Sequence, residues 1–156
     1  MILKSYIVEQ NLNILKDYSA ILMYGENNGI KDDIKVEIKS QNKDAEIFNF
    51  FERDIIKKNL LFESVANQSL FDEKKIIFIH EASDKILEAL EQCLILENKN
   101  IYIYILSENL EKKSKLRNWF EKDKNLAIFA CYEDNERTLI TYVNKELKDF
   151  KGLTGE

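Results

Sequence analysis

The residues best placed to do chemistry follow the first apolar run of the chain. Tyr24-Gly25-Glu26-Asn27-Asn28-Gly29-Ile30-Lys31-Asp32 comes directly after residues 20–24 and opens a helical pattern. In that position a nucleotide hydrolase carries the phosphate loop G-x-x-x-x-G-K-[ST]. Its glycines let backbone N–H groups face the phosphates, its lysine reaches the outer phosphates, and its hydroxyl holds Mg²⁺. Here Gly25 and Gly29 are one residue too close, and Ile30 separates Gly29 from Lys31. Asp32 stands where the hydroxyl belongs, and both Glu26 and Asp32 bring negative charge to a place meant for phosphate. The third apolar run ends in His80-Glu81, without the aspartate that would organise the metal. The expectation is a structural strand-to-helix turn, in which Gly25, Gly29 and Lys31 are vestiges of a phosphate loop, with no cofactor. A nucleotide-binding enzyme with a divergent loop is the rival reading, and it requires saturable ATP binding.

A second candidate is Asn67-Gln68-Ser69-Leu70-Phe71-Asp72-Glu73-Lys74-Lys75. Polar residues bracket Leu70 and Phe71 closely, so the pair belongs to a helix end or a loop rather than to a regular apolar face. Two readings stay open at this point. The pair either tucks under the sheet edge of a plain α/β scaffold, or protrudes as an apolar wedge for a partner's pocket.

Other candidates are weaker. Lys112, Lys113, Lys115 and Arg117 form the densest basic cluster, which reads as a solvated helix start or a contact with DNA or a neighbouring subunit. Glu81 follows an apolar strand near an expected crevice but lacks a second catalytic group, and His80 beside it reads as structural. Cys93 and Cys131, the only cysteines, sit among apolar residues and read as buried small hydrophobes. With His80 as the single histidine, no zinc site is expected.

Five short apolar runs must position these groups: residues 20–24, 46–50, 75–79, 101–106 and 126–130. Most are nearly continuous in apolar residues, as expected for strands covered on both faces. Helical spacing fills the gaps. It is carried by Phe51, Ile55, Ile56 and Leu60, then by Ile86, Leu87, Leu90, Cys93 and Leu94. Leu116, Trp119 and Phe120 mark a third case, and Leu139, Ile140, Val143 and Leu147 a fourth. Ser83 or Asp84 can cap the helix beginning near Lys85. Alternating strands and helices predict an α/β fold with βαβ units and a parallel sheet.

The chain has 156 residues, of which 45% are apolar and 33% charged, which suits one globular domain. The formal charge of −5 argues against a main DNA-contacting surface, since phosphate-gripping domains are more often basic. No apolar run approaches the roughly 18 residues that span a bilayer, and residues 1–7 do not form a secretory signal. A cytoplasmic protein without a membrane partner is expected. Domain bounds of 1–150 are expected, with 151–156 reading as the start of a truncated interdomain linker.

In their order along the chain, these features resemble the N-terminal domain of bacterial clamp-loader delta subunits of DNA polymerase III. That family has a Tyr-Gly-Glu turn after its first strand and a Ser-Leu-Phe motif just before a strand. A Leu-rich helix, an apolar strand and a Lys-rich turn leading to a helix come next. Their counterparts here are Tyr24-Gly25-Glu26, Ser69-Leu70-Phe71, residues 75–79, 86–96 and 101–106, and Leu110-Glu111-Lys112-Lys113-Ser114-Lys115-Leu116. The resemblance implies a three-layer RecA-like, AAA+ type domain with a five-stranded, mostly parallel sheet. It implies a non-catalytic subunit that binds and helps open the beta sliding clamp, with ATP hydrolysis left to other subunits. Leu70 and Phe71 would enter the clamp pocket, with Ser69 and Gln68 in support. The further partners implied are delta prime and gamma/tau, with DNA met only through the assembled complex.

Overall fold

In the computed structural model the described residues are 1–66, 74–96 and 100–132. The strands are β1 (Ala20–Tyr24), β2 (Glu46–Phe51), β3 (Lys75–His80), β4 (Ile101–Leu106) and β5 (Leu126–Ala130). They form one sheet in the order β2-β3-β4-β1-β5, and every pairing is parallel. The central strands are fully or almost fully buried, which is why their sequences lack a polar alternation. The edge strand β2 alone combines exposed and half-buried positions.

The helices are α1 (Ser5–Gln10), α2 (Asn28–Gln41), α3 (Glu52–Lys58), α4 (Leu60–Ala66), α5 (Leu87–Leu94) and α6 (Lys115–Lys122). One face of the sheet is covered by α3, α4, α5 and α6, which contribute Ile55, Leu61, Val65, Leu90, Cys93, Leu116 and Phe120. The opposite face is covered by α1, a 3-10 turn at Leu12–Asp17 and α2, through Val8, Leu15, Ile30, Ile34 and Ile38. The expected three-layer α/β architecture is therefore present, and its sheet is wholly parallel among the described residues.

The apolar pattern Phe51, Ile55, Ile56 and Leu60 does not make one helix. Phe51 closes β2, and Asn59 adopts the left-handed conformation (φ 52°) that ends α3 before α4 starts. Within α3, Ile55 faces the core and Ile56, one position on around the short helix, is exposed. Ser83 caps the turn at Asp84–Ile86 by accepting from the Lys85 N–H. Among the described residues no helix is long and apolar enough to cross a membrane. The helical pattern at Leu139, Ile140, Val143 and Leu147 and the segment 151–156 lie outside the described residues.

Candidate functional site

The strands' carboxyl ends meet where β1 lies between β4 and β5. From there β1 leads to α2 on one face and β4 leads to α6 on the other. In open α/β sheets this divergence is where ligands bind. Gly25 opens the turn with φ +122°, and a Cβ there would run into the backbone of Cys131. A side chain is thus excluded both by conformation and by space. Gly29 has an ordinary negative φ and more room, its nearest neighbour being the Asn27 side chain.

The turn spends its own donors. The Gly25 N–H donates to the Glu108 carbonyl at 3.1 Å and the Asn27 N–H to the Cys131 carbonyl at 2.8 Å. Asn27 caps α2, its Oδ1 accepting from the Ile30 N–H at 3.1 Å, and this fills the seat that an anion would take at the helix start. Lys31 points inward and is only 5% exposed. Its Nζ donates to the carbonyls of Gly25 at 2.8 Å and Ser107 at 2.9 Å, tying the ends of β1 and β4 together. Burial holds this ammonium below the usual lysine range, against the opposing pull of Cys131, Glu108 and Asp32. Burial likewise pushes the Cys131 thiol up to about 12.

A second polar chain crosses the same end of the sheet. Glu52, buried at the start of α3, accepts from the Ser83 N–H at 2.9 Å and from its hydroxyl. Asp84 accepts from the Ser114 hydroxyl and from the N–H groups of Leu116 at 3.1 Å and Lys115 at 3.3 Å. Ser114 in turn caps α6 through the Arg117 N–H at 3.2 Å. Of the basic cluster, Lys112, Lys113 and Lys115 are exposed, as a solvated helix start requires. Arg117 turns inward to the Leu110 carbonyl at 2.8 Å and over the Tyr24 ring.

His80 ends β3 with its Nε2 3.0 Å from both Lys35 Nζ and Asn49 Oδ1. Burial, then Lys35 and Lys39, hold the imidazole below its usual range, so it is neutral at pH 7. Glu81 beside it is exposed, with φ 55°. Sequence reasoning passed over Lys35 and Lys39. Their signal was the spacing of two lysines one turn apart beside the apolar stripe of α2. At the opposite end of the sheet, Trp119 is half-buried in an open groove with Val65, Cys93 and Leu94. Among the described residues no group of acidic, histidine and cysteine side chains could hold a metal.

Gln68, Ser69, Leu70 and Phe71 lie outside the described residues. Their flanks are described: α4 ends at Ala66, and Lys75 opens β3.

Comparison with known proteins adds to this geometry. No family model matches the chain. The chain is similar to the probable DNA polymerase III subunit delta of Rickettsia prowazekii (strain Madrid E), at 25% identity over 118 residues. That match covers 75% of this chain and 36% of the relative, so the chain spans about a third of the relative's length. The fold is similar to that of the Bacillus subtilis DNA clamp loader delta protein YqeN, with a TM-score of 0.63 at 15% identity. That match covers 86% of this chain and 44% of the other. The resemblance to delta subunits read from the motifs is borne out by the sequence similarity, and the expected fold by the structural one.

Proposed function

We propose that this domain is the clamp-gripping part of a DNA polymerase III delta subunit, acting by binding and without ATP hydrolysis of its own. The observation that carries the reading is the inward-turned Lys31, within a fold shared with a clamp loader delta protein. A phosphate loop works by offering free N–H groups and a free ammonium to an anion. Here the Gly25, Asn27 and Ile30 N–H groups and the Lys31 ammonium are already engaged by the protein's own oxygens. Gly25, Gly29 and Lys31 then serve as a structural turn. In this reading the domain works by recognising a protein partner.

In this reading the partner is the beta sliding clamp, and Leu70 and Phe71 are the wedge that enters its apolar pocket. The clamp opens because the domain binds the opened ring more tightly than the closed one, since a ligand shifts an equilibrium only by its differential affinity. Delta prime and gamma/tau would supply the remaining subunits in a cytoplasmic assembly.

The test is calorimetric titration of the purified clamp into the full chain, with Leu70→Ala plus Phe71→Ala alongside. Each side chain buried in a partner pocket is worth roughly 1.5–3 kcal/mol. Losing both should weaken binding on the order of a hundredfold or more, since about 1.4 kcal/mol is tenfold. The melting temperature should barely move. Clamp binding that survives the double change would overturn the wedge reading, and a large loss of stability would assign the pair to the chain's own core. A parallel titration with Mg-ATP should show no saturable binding, and a micromolar dissociation constant would revive the enzyme reading.

A further inference from the structure

The α2 face of the sheet carries cations that the clamp reading does not use. Lys35 and Lys39 stand one turn apart on α2, and their Nζ atoms lie 5.1 Å and 5.8 Å from the centroid of Phe78. Phe78 is itself fully buried beneath them. Past the end of the helix, Lys74 donates to Oδ1 of Asn42, the C-cap residue of α2, and lies 4.9 Å over Tyr102. Burial holds the Lys74 and Lys35 ammonium groups below the usual lysine range, and the nearby charges of Lys16 and Lys39 push them the same way. None of Lys16, Lys35, Lys39 and Lys74 forms an ion pair among the described residues. Among the described residues, the charge of Asp32 acts on Lys35 and those of Glu81 and Asp32 on His80, and neither carboxylate makes an ion pair with this row.

An aromatic surface lies at one end of the row. Phe51 is 37% exposed on the edge strand β2. It stands in register with His80, the ring centroids 5.4 Å apart. The guanidinium of Arg53 sits 5.1 Å from the Phe51 centroid. Asn49 lies on the same face of β2 and meets the His80 ring. The row from Lys35 to Asn42 spans about 10 Å at the helical rise per residue.

We propose that this face, formed by α2 and the β2–β3 edge, binds single-stranded nucleic acid. The lysines take successive phosphates, and Phe51 stacks on a base. Lysines without an ion pair among the described residues would by themselves suit any polyanion. The exposed ring framed by a guanidinium and an imidazole selects the nucleic acid, because bases have π-faces and acidic side chains do not. The net charge of −5 is a property of the whole chain and is compatible with a local basic strip. The proposal stands apart from the clamp reading, since Leu70 and Phe71 take no part in it.

The test is fluorescence anisotropy of a labelled oligodeoxythymidine titrated with the full chain at several salt concentrations. Saturable binding that weakens with salt is expected. Lys35→Gln with Lys39→Gln should weaken it tenfold or more and reduce the slope of log affinity against log salt by about 1.4, or about 0.7 for each phosphate no longer neutralised. Phe51→Ala should weaken binding fivefold or more and leave the salt slope unchanged. Phe51→Leu repeats that test with the apolar bulk kept, should the alanine variant fold poorly. Lys112→Gln with Lys113→Gln should change nothing. Absence of saturable binding at low salt would overturn the proposal, as would full binding by the Lys35, Lys39 double variant. If polyglutamate displaces the oligonucleotide and Phe51→Ala binds normally, the strip is a site for an acidic protein and the proposal fails.

Discussion

Lys31 reaches from α2 to the carbonyl oxygen of Ser107 at the end of β4, a buried hydrogen bond of 2.9 Å across 76 positions of sequence. A lysine meant for phosphate would point into solvent and contribute little to folding. This one bonds two strand ends, and its loss strands the Gly25 and Ser107 carbonyls in the interior. Lys31→Met should therefore cost about 2 kcal/mol or more, given about 1–3 kcal/mol for each buried polar group left unsatisfied. Urea denaturation of the two proteins measures this. Clamp affinity should be unaltered in the same variant.

Gly25→Ala addresses the other side of the turn. The native φ of +122° is open to glycine and strained for any L side chain, and the added carbon would press on Cys131. The cost should exceed the roughly 1 kcal/mol typical of a Gly-to-Ala change at a compatible site, and with the opposite sign. Gly29→Ala is the control and should be near neutral or stabilising, because Gly29 sits within α2 with an ordinary backbone. Thermal melts of both variants separate the two positions.

Asp84 gives a pH signature. Burial pulls its carboxyl up, but the bonds from Ser114, Leu116 and Lys115, with the Lys115 charge, outweigh that and hold it below the usual range. A carboxyl depressed in the folded state stabilises the protein above its unfolded pKa, and that contribution disappears as pH falls through the folded pKa. Stability should thus begin to decline below about pH 4, where an unfolded aspartate titrates. Asp84→Asn should start lower at pH 7 and depend less on pH across that window. Denaturation midpoints at pH 7 and pH 3 give the comparison. Ser114→Ala should cost about 1 kcal/mol as a lost N-cap does, and more at pH 7 than at pH 3, because the lost hydroxyl also donates to the ionised Asp84.

The thiols supply a probe of opening. Burial pushes Cys93 up to about 11 and Cys131 to about 12, and both are almost fully covered. Thiolate is the reactive form, so both should resist a disulfide reagent at pH 8 in the native protein and react fully in denaturant. Rapid labelling of Cys131 under native conditions would show that the β5 end of the turn opens readily.

The strands were legible because burial on both faces removes polar residues from them. β1, β4 and β5 coincide with the apolar runs, and β2 and β3 each extend one residue further, to Phe51 and His80. Helix ends were less legible. Nothing in the apolar period of Phe51 to Leu60 announces the left-handed Asn59, since asparagine tolerates that conformation without requiring it. α1 and the 3-10 turn after it went unread, being too short to show a period. The defect of the phosphate loop was plain from the spacing of Gly25, Gly29 and Lys31. The fate of Lys31 was not, because its acceptor at Ser107 is supplied by a distant strand. The lysine row was missed for the same reason: Phe78, His80 and Lys74 come to α2 only through the sheet.

The junction of α3, α4 and β3 has a consequence for the affinity of the proposed clamp interaction. α4 is locked to the sheet by Leu61 and Val65, and the Nζ of Lys75 donates back to the Ser64 carbonyl at 3.1 Å. Both anchors of the segment bearing Leu70 and Phe71 are thereby fixed when the chain folds. The entropy of bringing those two anchors together is lost in folding and is not lost again when a partner arrives. A free peptide of residues 67–74 must lose that freedom at the moment of binding. The same two side chains should consequently bind the clamp more weakly on the peptide than on the folded domain, with the difference falling mainly in the entropy of association.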